Sequence, residues 1–147
     1  NIFKEIKNIA TDFKTFSLQI NKLTFSKYNT IQLKFSKNVV LNKLHKIIVE
    51  EMATKFRDKS ASSKAKEFYH SFNEKEKELI DKYGRTNVLS NFEPHITLGK
   101  FPTELTLQIK EFLSDFKPKF NLLIKEISLV EIKENSYKNL KKFKLNV

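Results

Sequence analysis

The apolar residues of this chain change their spacing repeatedly, and each change marks a boundary between a predicted helix and a predicted strand. In residues 2–13 they recur every three or four positions, which predicts one face of an amphipathic helix. In residues 16–20 and 31–35 they alternate with polar residues, which predicts two strands joined by a turn at residues 26–29. The alternation favours an antiparallel hairpin with one buried face.

Three further helices are predicted after this hairpin. Asn38 and Asn73 are favourable N-cap residues for the first two, and Gly84 is expected to end the second. The third is predicted to turn four apolar side chains inward, those of Leu105, Ile109, Phe112 and Leu113. The three helices are predicted over residues 38–56, 73–84 and 103–115.

The second half of the chain also contains three predicted strands. Pro94 and Pro102 bound the first, which we predict to be buried. A phase change near residues 125–126 predicts a β-bulge within one long strand. Residues 58–68 are polar and predict a surface loop or a mobile helical extension, and residues 134–139 predict a turn. The strands are predicted over residues 95–101, 120–132 and 140–145.

These elements predict an α+β fold in which curved antiparallel sheets carry helices on their outer faces. A length of 147 residues suits a single domain over residues 1–147, and two Gly and three Pro argue against long flexible linkers. No apolar run reaches the roughly 18 residues of a membrane-spanning helix, and no signal-peptide pattern is present. We therefore expect a monomeric cytoplasmic protein without a membrane partner.

The chain carries a formal net charge of +11, almost all of it from Lys because Arg57 and Arg85 are the only arginines. A basic surface favours RNA, DNA or anionic lipid. Codon drift in an AT-rich genome would also produce abundant Lys, Asn, Ile and Phe, so both explanations stay open. The absence of Cys excludes disulfides and thiolate chemistry. The three His lack metal-ligand spacing, so we predict neither a metal nor a cofactor.

The segment PHITLGK carries the strongest functional signal. Alternate residues of a strand share a face, so His95, Thr97 and Gly99 are predicted to project together. Ile96 and Leu98 are predicted to point towards the helices. An imidazole transfers protons near neutral pH, a hydroxyl hydrogen-bonds a phosphoryl oxygen, and a glycine lets a ligand approach the backbone. The pattern predicts an acid–base site for a phosphate; the alternative is a buried histidine capped by its neighbour.

Three other residues are candidate substrate contacts. Lys100 ends the same strand, although simple alternation turns it away from the histidine. Arg85 precedes the motif in a loop and has the fork geometry that binds a phosphate with two hydrogen bonds. Tyr137, in the last predicted turn, is a candidate for stacking on a base. For each, the alternative is a solvated surface residue; His45 and His70 are interpreted as structural.

The segment NFEPHITLGKF resembles the second motif of the two-histidine (2H) phosphoesterase superfamily, which includes the bacterial 2′-5′ RNA ligase-like proteins and the cyclic phosphodiesterases. Residues 16–48 look like the family's central strand pair and the helix that follows it. Residues 120–145 look like its closing strand, turn and strand. The family pattern, aromatic-x-Pro-His-x-Thr-Leu-x-basic, is matched in order by Phe92, Pro94, His95, Thr97, Leu98 and Lys100.

The resemblance implies a metal-independent phosphodiesterase that acts on RNA ends, 2′,3′-cyclic phosphates or 2′-5′ oligonucleotides. In the family, two His-x-Thr/Ser motifs face each other across a groove. One His acts as the general base, the other protonates the leaving oxygen, and the hydroxyl residues hold the phosphate. The resemblance thus implies catalytic roles for His95 and Thr97, an RNA or nucleotide substrate, and no cofactor.

The chain departs from the family pattern because no His-x-Thr or His-x-Ser precedes His95. We expect the first motif and its strand to lie on an N-terminal segment outside this sequence. The alternative is a degenerate first site, which would make the chain a non-catalytic nucleotide- or RNA-binding module. A third hypothesis is a structural or interaction domain whose charge reflects codon drift. Within the sequence, His70 is the one candidate for a substitute catalytic partner.

Overall fold

The structure is a computed structural model that describes residues 1–26, 29–57, 67–133 and 136–147. Most of the predicted loop or extension at 58–68 lies outside these residues, as do two residues in each of the predicted turns at 26–29 and 134–139. The chain forms two compact units. The sheet unit comprises Phe16–Asn38 and Glu93–Ile124, and the helical unit comprises Asn1–Thr15, Val39–Phe92 and Lys125–Val147.

The predicted α+β class is confirmed by four α-helices and six strands in the described residues. Short 3-10 turns also occur at Tyr69–Ser71, Leu89–Asn91 and Thr103–Leu105. None of the described helices is long and apolar enough to cross a membrane. The helices are α1 (Ile2–Thr11), α2 (Val39–Phe56), α3 (Glu74–Tyr83) and α4 (Thr106–Phe112). The strands are β1 (Phe16–Phe25), β2 (Thr30–Phe35), β3 (His95–Lys100), β4 (Phe120–Ile124), β5 (Glu126–Lys133) and β6 (Ser136–Lys144).

The sheet unit is built on a curled antiparallel sheet with strand order β3-β2-β1-β4. Alternation along β1 and β2 gives it one apolar face, as the sequence predicts, and the residues of that face are paired across the strands. Ile20, which is 0% exposed, pairs with Phe35 on one side and Phe120 on the other. The other buried members of this face are Leu18, Ile31 and Leu33.

Strand β3 lies at the edge of this sheet, so the prediction that it is buried is wrong. In the described part of the chain it pairs with β2 alone. Ile96 and Leu98 are 37% and 54% exposed. An apolar run bounded by prolines fits a buried strand and an edge strand equally well, because the pattern carries no information about the number of neighbouring strands.

Helix α4 is shorter and less buried than predicted. The predicted helix over 103–115 is a 3-10 turn followed by one α-helix of seven residues. Leu105 and Phe112 are exposed and do not face inward as predicted, whereas Ile109 and Leu113 are half-buried. The ammonium of Lys110 in α4 lies 5.5 Å from the centre of the Phe25 ring in β1.

The helical unit combines α1, α2 and α3 with the β5–β6 hairpin. Helix α1 buries Ile6, Ile9 and Ala10. The predicted caps of α3 are confirmed: Asn73 forms a capping box with Glu76, and Gly84 ends the helix at a φ of 78°.

Two sequence predictions at the C-terminus are wrong. Lys125 separates β4 from β5, which belong to different sheets, so no single bulged strand runs through this position. A phase change in alternation arises equally from a bulge and from a chain that leaves one sheet for another. The described part of the predicted turn, residues 136–139, forms the start of β6.

Substituting Ile20 tests the position of the core. Ile20→Ala should lower the free energy of unfolding by about 2–5 kcal/mol, because it leaves a cavity in a closely packed interior. Ile132→Ala removes the same atoms from a side chain that is 73% exposed in β5, and should change stability by less than about 0.5 kcal/mol. Urea unfolding followed by circular dichroism measures both. Equal losses would contradict the placement of Ile20 in the core.

Candidate functional site

The second face of the four-stranded sheet, which we call the polar face, carries the predicted motif. His95 pairs with Lys34, and Thr97 pairs with Gln32. On the other side of β2, Lys34 pairs with Lys22 and Gln32 with Thr24. Because paired residues of antiparallel strands point to the same side, these six side chains form two neighbouring rows. The basic row is Lys22, Lys34 and His95, and the second row is Thr24, Gln32 and Thr97.

A β-bulge interrupts β3 directly after Thr97. Thr97 pairs with Gln32, whereas Gly99 pairs with the adjacent Ile31. Leu98 is therefore the extra residue of the bulge. Gly99 consequently shares the apolar face with Ile31, so the prediction that it projects beside His95 and Thr97 is wrong.

Packing explains the glycine better than a ligand does. A Cβ added at Gly99 would lie 3.2 Å from the nearest ring carbon of Phe101, which is tighter than ordinary van der Waals contact. The absence of a side chain at Gly99 thus accommodates this ring.

The same bulge brings Lys100 onto the polar face. Lys100 pairs with Thr30, which lies two residues from Gln32 along β2 and so points to the same side. The prediction that Lys100 alternates away from His95 is therefore wrong. The sheet unit places three of the five candidate residues, His95, Thr97 and Lys100, on one face.

The imidazole of His95 is exposed, and the backbone orients it. Its Nδ1 lies 2.8 Å from the carbonyl oxygen of Glu93. A carbonyl only accepts hydrogen bonds, so Nδ1 of the neutral ring donates and carries the proton. This tautomer leaves the lone pair of Nε2 available to take a proton from a ligand.

The carboxylate of Glu93 lies beside the basic row. Lys34 Nζ and Glu93 Oε2 form an ion pair at 2.6 Å. The hydrogen bond from Lys34, together with its charge, lowers the pKa of the Glu93 carboxyl, and the charges of Lys22 and His95 lower it further. All three members of the basic row therefore act electrostatically on this one carboxylate.

Arg85 and Tyr137, the other two candidate residues, belong to the helical unit and not to the sheet. Arg85 is exposed one residue after Gly84, and it lines an apolar cavity of ≈ 370 Å³ with Met52 and Phe56. Tyr137 is an exposed residue of β6, not of a turn as predicted.

The other two histidines are also in the helical unit. His45 stacks on Phe92 with ring centroids 3.7 Å apart, and its Nε2 accepts a hydrogen bond from the backbone N–H of Leu89 at 3.0 Å. Leu89 has a φ of 52°, a region that leucine rarely adopts, so this hydrogen bond holds a strained backbone position. His70 lies in the exposed turn Tyr69–Ser71.

The sequence prediction missed the residues that surround the motif, namely Lys22, Gln32, Lys34 and Glu93. Their polar positions in β1 and β2 are visible as the solvent-facing half of an alternating pattern. The antiparallel register that sets Lys34 opposite His95 depends on tertiary pairing, which a single sequence does not specify.

No known family model matches the chain, and no curated protein matches it significantly. Among residues 1–26, 29–57, 67–133 and 136–147, no group of three or more His, Asp or Glu side chains is placed to hold a metal ion.

The contacts of His45 lead to a pH-dependent prediction. Burial lowers the pKa of His45 from its ordinary 6.5. The unfolded chain then binds this proton more readily than the folded chain, so stability should fall as the pH drops from about 6.5 towards the lowered pKa. In His45→Gln, whose amide oxygen can still accept from Leu89, this part of the pH dependence should disappear. Thermal denaturation between about pH 5 and pH 8 tests this, and identical slopes in both proteins would contradict it.

Proposed function

We propose that the chain is part of a two-histidine phosphoesterase-like protein and acts as a metal-independent phosphodiesterase on RNA ends, 2′,3′-cyclic phosphates or 2′-5′ oligonucleotides. One observation carries the proposal: His95, whose Nδ1 contacts the Glu93 carbonyl oxygen, shares a sheet face with Thr97. The same face carries Lys34, Lys22 and Lys100. The α+β fold with its curled antiparallel sheet supports it, as does the motif PHITLGK.

The arrangement can perform one half of an acid–base reaction on a phosphate. Nε2 of His95 takes a proton from the attacking water or hydroxyl as its oxygen bonds to phosphorus. The hydroxyl of Thr97 donates a hydrogen bond to a non-bridging phosphoryl oxygen. Lys100 adds positive charge on the same face and so favours the anionic transition state.

The second half of the reaction is the protonation of the leaving oxygen as its bond to phosphorus breaks. His95 is the one histidine in the sequence of the sheet unit. A two-histidine mechanism therefore requires an imidazole from outside this unit. In the proposed enzyme it comes from a second His-x-Thr or His-x-Ser motif of the full gene product.

This single imidazole also favours a second candidate function, a nucleotide- or RNA-binding module on the same sheet. Such a module uses Thr97 and the basic row to hold a phosphate without cleaving it. Its binding would weaken as salt rises, because the lysines release counterions from a nucleic acid.

The enzyme hypothesis is tested by mass spectrometry of products from 2′,3′-cyclic AMP and 2′-5′ oligoadenylate, with EDTA present and the full gene product as catalyst. His95→Ala should lower turnover by about 10²–10⁴-fold, because it removes the general base. Thr97→Val keeps the shape of the side chain but loses the hydroxyl, and should lower turnover by about tenfold or more. His70→Ala removes another exposed histidine and should leave turnover within about twofold.

The outcomes separate the two functions. Turnover that persists in EDTA and depends on His95 supports the enzyme. Nucleotide binding without turnover supports the binding module. Turnover that EDTA abolishes and a divalent ion restores would contradict the metal-independent mechanism.

A further inference from the structure

We propose that Lys34 is the main phosphate-binding cation of this face, and that the Glu93 side chain occupies it until an anionic ligand displaces the carboxylate. This inference rests on the proposed function, and it adds a binding residue and an internal competitor. Neither residue belongs to the His-x-Thr motif. The proposal follows from the charge, burial and pairing of these two side chains.

The position of Lys34 favours an anion beside it. Lys34 lies in the middle of the basic row, directly opposite Lys22 on one side and His95 on the other. Lys34 and Lys22 are like charges that face each other across strands, which destabilises a sheet. The carboxylate of Glu93, 2.6 Å from Lys34 Nζ, offsets this repulsion in the free protein. A bound phosphate would offset it in the same way, with more charge and more oxygen acceptors.

The side chains of Lys34 and Glu93 differ in their exposure to solvent. The side chain of Lys34 is 18% exposed, whereas that of Glu93 is 76% exposed. Lys34 is therefore largely covered by its neighbours, whereas the side chain of Glu93 has room to turn into solvent. An ion pair with one exposed partner contributes little to stability, so a phosphate can replace it at small cost.

The backbone of Glu93 has a separate role that displacement would leave intact. Its carbonyl oxygen accepts the Nδ1 proton of His95, while its carboxylate binds Lys34. Movement of the side chain alone keeps the carbonyl in place and so keeps Nε2 of His95 free. A phosphate in place of the carboxylate would contact Lys34 on the face that also carries His95. Glu93 thus both orients the proposed base and shields the cation next to it.

Calorimetric titration with inorganic phosphate and with adenosine 2′-monophosphate, at low salt, tests this inference. Glu93→Gln keeps the size of the side chain but removes its charge, and should tighten binding by about fivefold or more. Lys34→Met should weaken binding by about tenfold or more. In the Lys34→Met background, Glu93→Gln should change the phosphate affinity only through its change in net charge.

Glu126→Gln is the matched control. It removes the same charge from an exposed ion pair, Lys142–Glu126 at 2.5 Å, in the β5–β6 hairpin. This variant should tighten phosphate binding by less than about twofold, and thermal denaturation shows whether each variant is folded. Because Glu93 is exposed, Glu93→Gln should fold normally. This variant therefore tests whether the carboxylate competes with phosphate even if Lys34→Met does not fold.

The outcomes distinguish a failure of this inference from a failure of the proposed function. If Glu93→Gln binds no more tightly than Glu126→Gln, while binding still depends on His95 and Thr97, the role of Glu93 is refuted and the proposed function stands. If the wild type and Glu93→Gln bind neither probe, the proposed function fails together with this inference. Tighter binding in Glu93→Gln that requires Lys34 supports the displacement.

Discussion

The pairing of β2 with β3 is the interaction on which the candidate site depends. Its register sets the imidazole of His95 opposite the ammonium of Lys34, and the hydroxyl of Thr97 opposite the amide of Gln32. The bulge at Leu98 then returns Lys100 to the same face. A slip of one residue would reverse the faces of β3 and turn His95 and Thr97 towards the apolar side of the sheet.

Electrostatics gives this face its chemical character. Two lysines and the imidazole of His95 lie side by side across β1, β2 and β3, and the exposed carboxylate of Glu93 pairs with Lys34. Such a row is unfavourable without an anion and is therefore suited to bind one. The net charge of +11 does not show where on the chain an anion would bind, because it describes the whole chain. The local row, and not the overall excess of Lys, supports a phosphate ligand.

Much of the fold was predictable because local patterns determine it. The period of three to four predicted α1, and the caps Asn73 and Gly84 predicted the ends of α3. Tertiary structure determined what the sequence did not reveal: the edge position of β3, the bulge at Leu98 and the crossing between sheets at Lys125. The motif predicted His95 and Thr97 as candidates, whereas Lys34 and Glu93 required the pairing of strands that are distant in sequence.

The tautomer of His95 tests the central claim most directly. Long-range ¹H–¹⁵N spectra of the imidazole, recorded with and without inorganic phosphate, measure which nitrogen carries the proton and which one responds to the anion. The structure predicts that the neutral tautomer carries its proton on Nδ1, and that the Nε2 resonance shifts when phosphate is added. A ring protonated at Nε2 whose resonances are unchanged by phosphate would contradict the proposal that this face is an acid–base site for a phosphate.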